Sequence, residues 1–254
     1  MVVLEPYARG GPWPARLVTA SLGLLALSLV SMAGAGPAYR LGLIALGRAF
    51  ELLRLGALLG VAAALLGLLT LGVGAWYRRP RAALVGILVL LAVAATLLIP
   101  AQYLQRAQAV PPIHDITTDT ADPPPFVALA AARAAAPNAV GYPHAFAAQQ
   151  QRAYPDLAPL RLQAPPARIL ETAATLMRER GWEIAAVNAT TLEATAATRW
   201  FGFRDDLVLR LTEDDDGVRV DMRSASRLGR SDLGTNAARI QAFLSALENR
   251  LGRD

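Results

Sequence analysis

The chain has no cysteine and no lysine. Without thiols there is no disulfide, no thiolate metal site and no cysteine nucleophile, and the redox compartment stays open. All 25 basic residues are arginine, which with the abundant alanine reflects a GC-rich genome more than a function. There are only two histidines, His114 and His144, and neither stands at a paired-ligand spacing such as H-x-x-x-H. Charge is missing altogether from three long stretches, residues 17–34, 55–76 and 82–98.

At a rise of about 1.5 Å per residue, about 20 apolar residues cross the hydrocarbon core of a bilayer. Each charge-free stretch comes close to that length and is apolar all round, unlike the one-sided helix of a soluble core. Residues 1–100 therefore read as an α-helical membrane anchor with about three spans, and its first partner is the lipid bilayer. Arg9 and Arg16 precede the first span, and Arg78, Arg79 and Arg81 fill the loop before the third. Between the first two spans, residues 40–54 place Arg40, Arg48, Glu51 and Arg54 on one helical face, opposite Leu46, Phe50 and Leu53. That pattern suits an interfacial helix continuing into the second span. Ala33-Gly34-Ala35 resembles a signal-peptidase site, but the segment before it is long for a signal peptide, which favours an uncleaved helix. Trp13, Trp76, Tyr77 and Tyr103 fall near span ends, where amphipathic rings favour the interface. The spans carry hydroxyls but no ionisable group, which argues against a transport path. Gly60, Gly67, Gly72 and Gly74 permit close helix contact.

The formal net charge of +5 and a pI near 10.2 would suit a nucleic-acid partner, but the distribution excludes it. Residues 1–100 hold eight Arg and two acidic residues, a net of +6; residues 101–254 hold seventeen Arg and eighteen acidic residues, a net of −1. The basicity belongs to the membrane flanks, where anionic headgroups are the natural partner. The rest lacks the basic excess that phosphate backbones require.

Residues 101–254 read as one water-soluble α+β domain. Its Pro-rich lead-in, residues 101–164, is expected to lie extended over the surface, because proline suppresses both helix and central strand. A short Ala-rich helix fits 126–136, and 145–153 is ambiguous. Pro165-Pro166 can start a helix whose buried stripe is Ile169, Leu170, Ala173, Leu176 and Met177, with Gly181 placed to end it. Four strand-like runs follow, at 182–187, 191–200, 207–212 and 218–224. Their alternation, as in Val218, Val220 and Met222 against Arg219, Asp221 and Arg223, describes antiparallel strands with one face buried. The run Asp214-Asp215-Asp216-Gly217 makes a hairpin turn; it lacks the terminal Glu of an EF-hand calcium loop. A last helix, about 236–251, carries Ile240, Phe243, Leu244, Leu247 and Leu251. Helix, four strands and helix make a two-layer sandwich, with a four-stranded, mainly antiparallel sheet covered by helices on one face. The other face would show Arg210, Arg219, Asp221, Arg223 and Glu193. Trp200, Phe201 and Phe203 are expected to pack in the core.

Three motifs stand out: Pro112-Pro-Ile-His114-Asp115-Ile-Thr-Thr-Asp119, Arg199-Trp-Phe-Gly-Phe-Arg-Asp-Asp206, and Ser224-x-Ser226-Arg227-x-Gly229-Arg230-Ser231-Asp232-x-Gly234-x-Asn236, followed by Arg239. Together they resemble the bacterial domain-of-unknown-function 1499 (DUF1499) family, from about His114 to Leu251. The resemblance implies no established activity. Its members often carry membrane segments or a lipoprotein-type signal before the domain, which fits the split seen here. In a double-membrane bacterium the arginine flanks put the amino end and the 77–81 loop inside, and the domain in the periplasm.

A Gly-bearing loop that feeds a helix amino end points free N–H groups outward. Arg227, Arg230 and Arg239 can add guanidinium forks. The binding reading is therefore a site for an anionic small molecule or envelope component, built from His114, Ser224, Ser226, Arg227, Gly229, Arg230, Ser231, Asp232, Gly234, Asn236 and Arg239. The bland alternative is internal satisfaction: Asp232 or Thr235 caps the helix, and Asp205 or Asp206 pairs with an arginine. Asp115, Asp119, Asp206 and Asp232 are the acid/base candidates for a hydrolase or transferase. No metal site and no cofactor is expected, and no G-x-S-x-G elbow supports serine catalysis. The leading expectation is a non-enzymatic binding or accessory domain in envelope maintenance, contacting partners through the polar sheet face and the 224–236 loop. A structural assembly factor is the third reading.

Overall fold

The computed structural model describes residues 12–252; Arg9 and the rest of the amino end expected inside lie outside them. The chain divides into two compact units, one ending at Tyr103 and one starting at Leu104.

The first unit holds helices α1 (Trp13–Arg40), α2 (Leu46–Trp76) and α3 (Pro80–Ala109), each long and apolar enough to cross a membrane. Their outward residues, among them Leu29, Val30, Leu58, Leu65 and Leu91, are exposed, which suits insertion in lipid. Their contacts are made by small residues. The Ser28 hydroxyl donates to the Gly56 carbonyl at 2.7 Å. A side chain at Gly86 would meet the Gly67 carbonyl at 2.6 Å, and one at Gly74 the Ala83 nitrogen at 2.5 Å. Backbones this close associate through van der Waals packing, since lipid supplies no hydrophobic drive. Two helices run past their apolar cores: α1 continues through Pro37, and α3 through Pro100 to Ala109. The 40–54 segment is not one helix. Arg40 ends α1 and a turn follows. Arg48, Glu51 and Arg54 sit on the first turns of α2, where Arg48 and Glu51 pair at 2.7 Å.

The second unit is an α+β domain with an antiparallel sheet of six strands, not four. The four expected strands are β3 (Glu183–Val187), β4 (Thr191–Ala197), β5 (Arg204–Asp214) and β6 (Gly217–Ser226). The lead-in adds β1 (Asp115–Thr117) and β2 (Leu160–Leu162). Both pair with β6, at Asp115↔Ala225 and Leu160↔Val220, so β6 is covered on both edges. The order is β1-β6-β5-β4-β3, with β2 beside β6. The lead-in also holds α4 (Ala130–Ala134), a 3-10 turn at His144–Phe146 and α5 (Ala147–Ala153). It is a structured cover rather than an extended strap.

Helices α6 (Pro166–Glu179) and α7 (Thr235–Leu251) pack on one sheet face. Ile169, Met177, Ile240, Phe243 and Leu247 meet Leu192, Leu207, Leu209, Val220 and Met222, all buried. Fully burying one such side chain stabilises by about 1.5–3 kcal/mol.

The opposite face is not open. Glu193, Asp221 and Arg223 are 1%, 1% and 2% exposed, beneath the segment that runs from β1 to α5. Phe126 and Leu129 of that segment pack on Val208 and Ala225. The Glu193 carboxylate accepts from the N–H groups of Val127, Ala128 and Leu129 at 2.9, 2.9 and 3.0 Å. Those donors lie in the turn that leads into α4, so a strand carboxylate pins the cover at that point.

Candidate functional site

The three motifs meet at one end of the sheet and bond to one another on both of its faces: Asp115 and Asp206 lie beneath the cover with Ala225, and Asp205, Ser224 and Ser226 on the helix side with Ile116 and Leu207. At the centre is Asp206. Arg227 grips it with two guanidinium bonds of 2.8 Å each, Arg133 reaches it at 3.1 Å, and the Thr195 hydroxyl donates at 2.8 Å. The side chains of Arg133 and Asp206 are both 0% exposed. Arg133 also donates to the carbonyls of Ala225 and Ala139, at 2.9 Å each. A second pair is bidentate: Arg223 donates to Asp115 at 2.9 and 2.7 Å, and uses its remaining N–H groups on the carbonyls of Pro124 and Val140. Both guanidiniums lie against the Phe126 ring, 4.7 Å for Arg133 and 4.6 Å for Arg223. Planar cations that satisfy a carboxylate and stack on an aromatic face are an arginine speciality.

The third motif joins the end of β6 to the start of α7. The Ser224 hydroxyl donates to the Asn236 side-chain carbonyl at 2.7 Å. The Asn236 amide donates to the His114 carbonyl and the Ser226 hydroxyl, at 3.1 Å each. Arg239 donates to Ser224, to Asn236 and, at 2.6 Å, to Asp205. In the loop, Asp232 accepts from Gly234 and Asn236 N–H at 2.9 and 2.8 Å, and Ser231 from Leu233 N–H at 3.2 Å. The residue before α7 is Gly234 at φ 78, which has no side chain to offer, so Asp232 supplies the acceptor from two residues upstream. Gly229, at φ 100, occupies the left-handed region that side chains avoid.

The candidates thus divide. His114, Asp115, Ser224, Ser226, Asp232, Asn236 and Arg239 converge around the β1–β6–α7 junction, and Asp206 and Arg227 join them one strand across. Asp119 lies apart, accepting from Ala121 and Asp122 N–H and from Arg219 at 2.6 Å. Gly229 and Arg230 are exposed on the loop. Three residues that sequence reasoning passed over complete the construction. Arg133 is the only charge in an alanine run, which was a faint signal. Asn138 donates to the carbonyls of Ser226 and Gly229 at 2.9 and 3.0 Å. Gln150 brackets Thr117, donating to its carbonyl at 2.7 Å and accepting from its N–H at 3.1 Å. Glu193, expected on an open sheet face, is instead buried as the acceptor for the turn before α4 described above. Nothing in the local pattern marks Asn138 or Gln150.

Electrostatics follow the burial. Burial pushes the Asp232 carboxyl above the ordinary range, although the N–H groups of Asn236 and Gly234 pull it back. Burial lowers His114, and lifts the Tyr142 phenol to about 12. At Asp119 burial acts upward, but the N–H groups of Asp122 and Ala121 and the Arg219 guanidinium outweigh it and hold the carboxyl below its usual value. His114 Nδ1 and Tyr154 Oη are buried without a hydrogen-bond partner, and the Asp232 charge acts on both. Arg223 borders a cleft of about 240 Å³ with Phe126, Tyr142 and His144. Among the described residues no three His, Asp or Glu converge as a metal-holding group.

The family model for the protein of unknown function DUF1499 matches residues 115–247, more than half of the chain, from β1 into α7. The chain belongs to this family. No curated protein matches it.

Proposed function

With membership of a family of unknown function as the premise, we propose that this chain is an inner-membrane protein of the bacterial envelope. Its DUF1499 domain is a rigid, non-enzymatic binding or accessory module held on the periplasmic side. One observation carries the reading: three of the four candidate carboxylates are already spent. Asp115 and Asp206 are neutralised by arginines beneath the surface, and Asp119 is held by Arg219 at 2.6 Å. A general acid or base must reach a substrate proton, and a carboxylate locked in a bidentate guanidinium fork does not. The arginine-rich 77–81 loop supports the orientation.

A second reading, hydrolase or transferase, draws on the His114, Tyr154 and Asp232 group. There a carboxyl held above its ordinary range stands near two buried polar atoms that lack partners. Complementation separates the two. In a deletion strain with an envelope-stress phenotype, Asp232→Asn keeps a side-chain oxygen as acceptor for the α7 N–H groups. A module predicts full rescue at wild-type protein level. Loss of rescue by a stably accumulated variant favours the enzyme. Orientation is checked in the same strain: Asp215→Cys should react with an impermeant maleimide once the outer membrane is opened, with the inner membrane intact.

A further inference from the structure

The sheet ends at β3. This strand pairs with β4 on one side, and among the described residues no strand pairs with its other side. It thus offers an edge, the feature on which one chain adds to the sheet of another. β3 carries neither proline nor lysine to blunt that edge, and Val187 is 50% exposed. A bulge between Ile184 and Ala186 interrupts its register with β4. Such a kink discourages an open-ended run of added strands and suits a contact that closes on itself.

Helix α6 lies along this edge and runs antiparallel to β3. At one end Trp182 N–H donates to the Met177 carbonyl at 3.0 Å; at the other, Val187 and Asn188 stand beside Pro166 and Leu170. Between helix and strand lies an open groove of about 810 Å³. Leu170 and Ala174, 6% and 4% exposed, form its floor, and the exposed Ala167, Glu171 and Arg178 its helical rim. Positions 167, 171, 174 and 178 make one stripe of the helix. Its two charges have opposite signs and stand about 10 Å apart along the axis. Neither joins an ion pair among the described residues.

We propose that a second copy of this chain fills the groove: two domains meet across a two-fold axis, with their β3 edges facing and their α6 helices antiparallel. The Ala174–Thr175 step lies midway between Glu171 and Arg178. An axis through it sets Glu171 of each copy beside Arg178 of the partner subunit, and the same operation returns the reciprocal pair, as a self-complementary contact requires. Alanine at 167 and 174 lets the helices approach closely. An unrelated peptide needs no mirror relation between charges on this helix, so the charge pattern selects a second copy. Exposed ion pairs contribute little cohesion; they set the register, while Leu170, Ala174 and Val187 supply the apolar area. The contact uses none of the buried network, so the inference stands whether or not the domain is catalytic.

The chain has no cysteine, so Thr175→Cys places a single thiol per copy beside the axis. In the full chain in detergent, a short bis-maleimide should link two copies through it, and far fewer through Asp215→Cys on the β5–β6 turn. Adding Glu171→Arg sets like charges across the axis and should remove most of the linked dimer; adding Arg178→Glu as well should restore it. That pattern supports the proposal. Linkage at 175 no greater than at 215 overturns it and leaves the groove to a different occupant. Linkage at 175 that survives Glu171→Arg also overturns it, because a contact made elsewhere then holds the copies together. A loss that Arg178→Glu does not reverse overturns the pairing of these two charges across an axis.

Discussion

The two faces of the sheet are closed in opposite ways. On one, two helices press Ile, Leu, Met and Phe against alternating strand residues, and nearly any apolar shape of the right volume suffices. On the other, the 118–143 cover meets arginines and carboxylates through directed hydrogen bonds, with Arg133 Nε and Arg210 Nε left without one. Burying charge is costly unless it is paired and its remaining hydrogen bonds are made. That explains why Arg133 and Arg223 reach carbonyls as well as carboxylates. The apolar face supplies cohesion; the polar face fixes where the cover sits. The family motif straddles the two: Asp115 and Asp206 lie on the polar face, while Ser224 and Asn236 tie β6 to α7 on the helix side, which marks it as a brace first.

The comparison breaks most visibly at Asp206. Asp206→Ala leaves buried guanidinium charge uncompensated and should cost about 3–5 kcal/mol in urea unfolding of the detergent-solubilised chain. Arg133→Lys keeps the charge but loses the fork that bridges Asp206 and two carbonyls. A loss of about 1–3 kcal/mol is expected in the same assay. Its counterpart on the apolar face, Leu209→Met, conserves volume and should cost about 1 kcal/mol or less. Equal losses for those two would erase the distinction between the faces. Asp232→Ala removes the acceptor for two N–H groups at the start of α7 and should cost about 1 kcal/mol. The smallest effect is at Asp119. Its carboxyl is held below the ordinary value, so its contribution is complete above about pH 4 and fades as pH falls through the lowered value. Asp119→Asn should therefore lower stability slightly at neutral pH, where the contribution is complete, and flatten the acid limb of the stability-against-pH curve.

Legibility in the sequence followed the same division. β3 to β6, α6 and α7 were readable because their apolar residues repeat at strand or helix period, and such repeats need no knowledge of partners. β1 and β2 were not, since three residues beside prolines carry no period; they are strands only because β6 offers them the edge that β5 leaves free. The polar face was readable as polar, but Glu193, Asp221 and Arg223 were expected in solvent, for nothing local says that a distant segment covers them. Trp200, Phe201 and Phe203 were expected in the core on composition alone, yet a tight loop holds them out. Arg133 meets Asp206 across 73 positions of sequence, a pairing that no window could contain.

The central claim is that the polar face is a closed, mutually dependent brace. A double-mutant cycle on Arg133→Met and Asp206→Leu tests it most directly. The account predicts that each single change is costly and that the double variant loses less than the two losses added, with a coupling of about 0.5–3 kcal/mol. Small losses that simply add would contradict it, because they would describe two charges that water already satisfies.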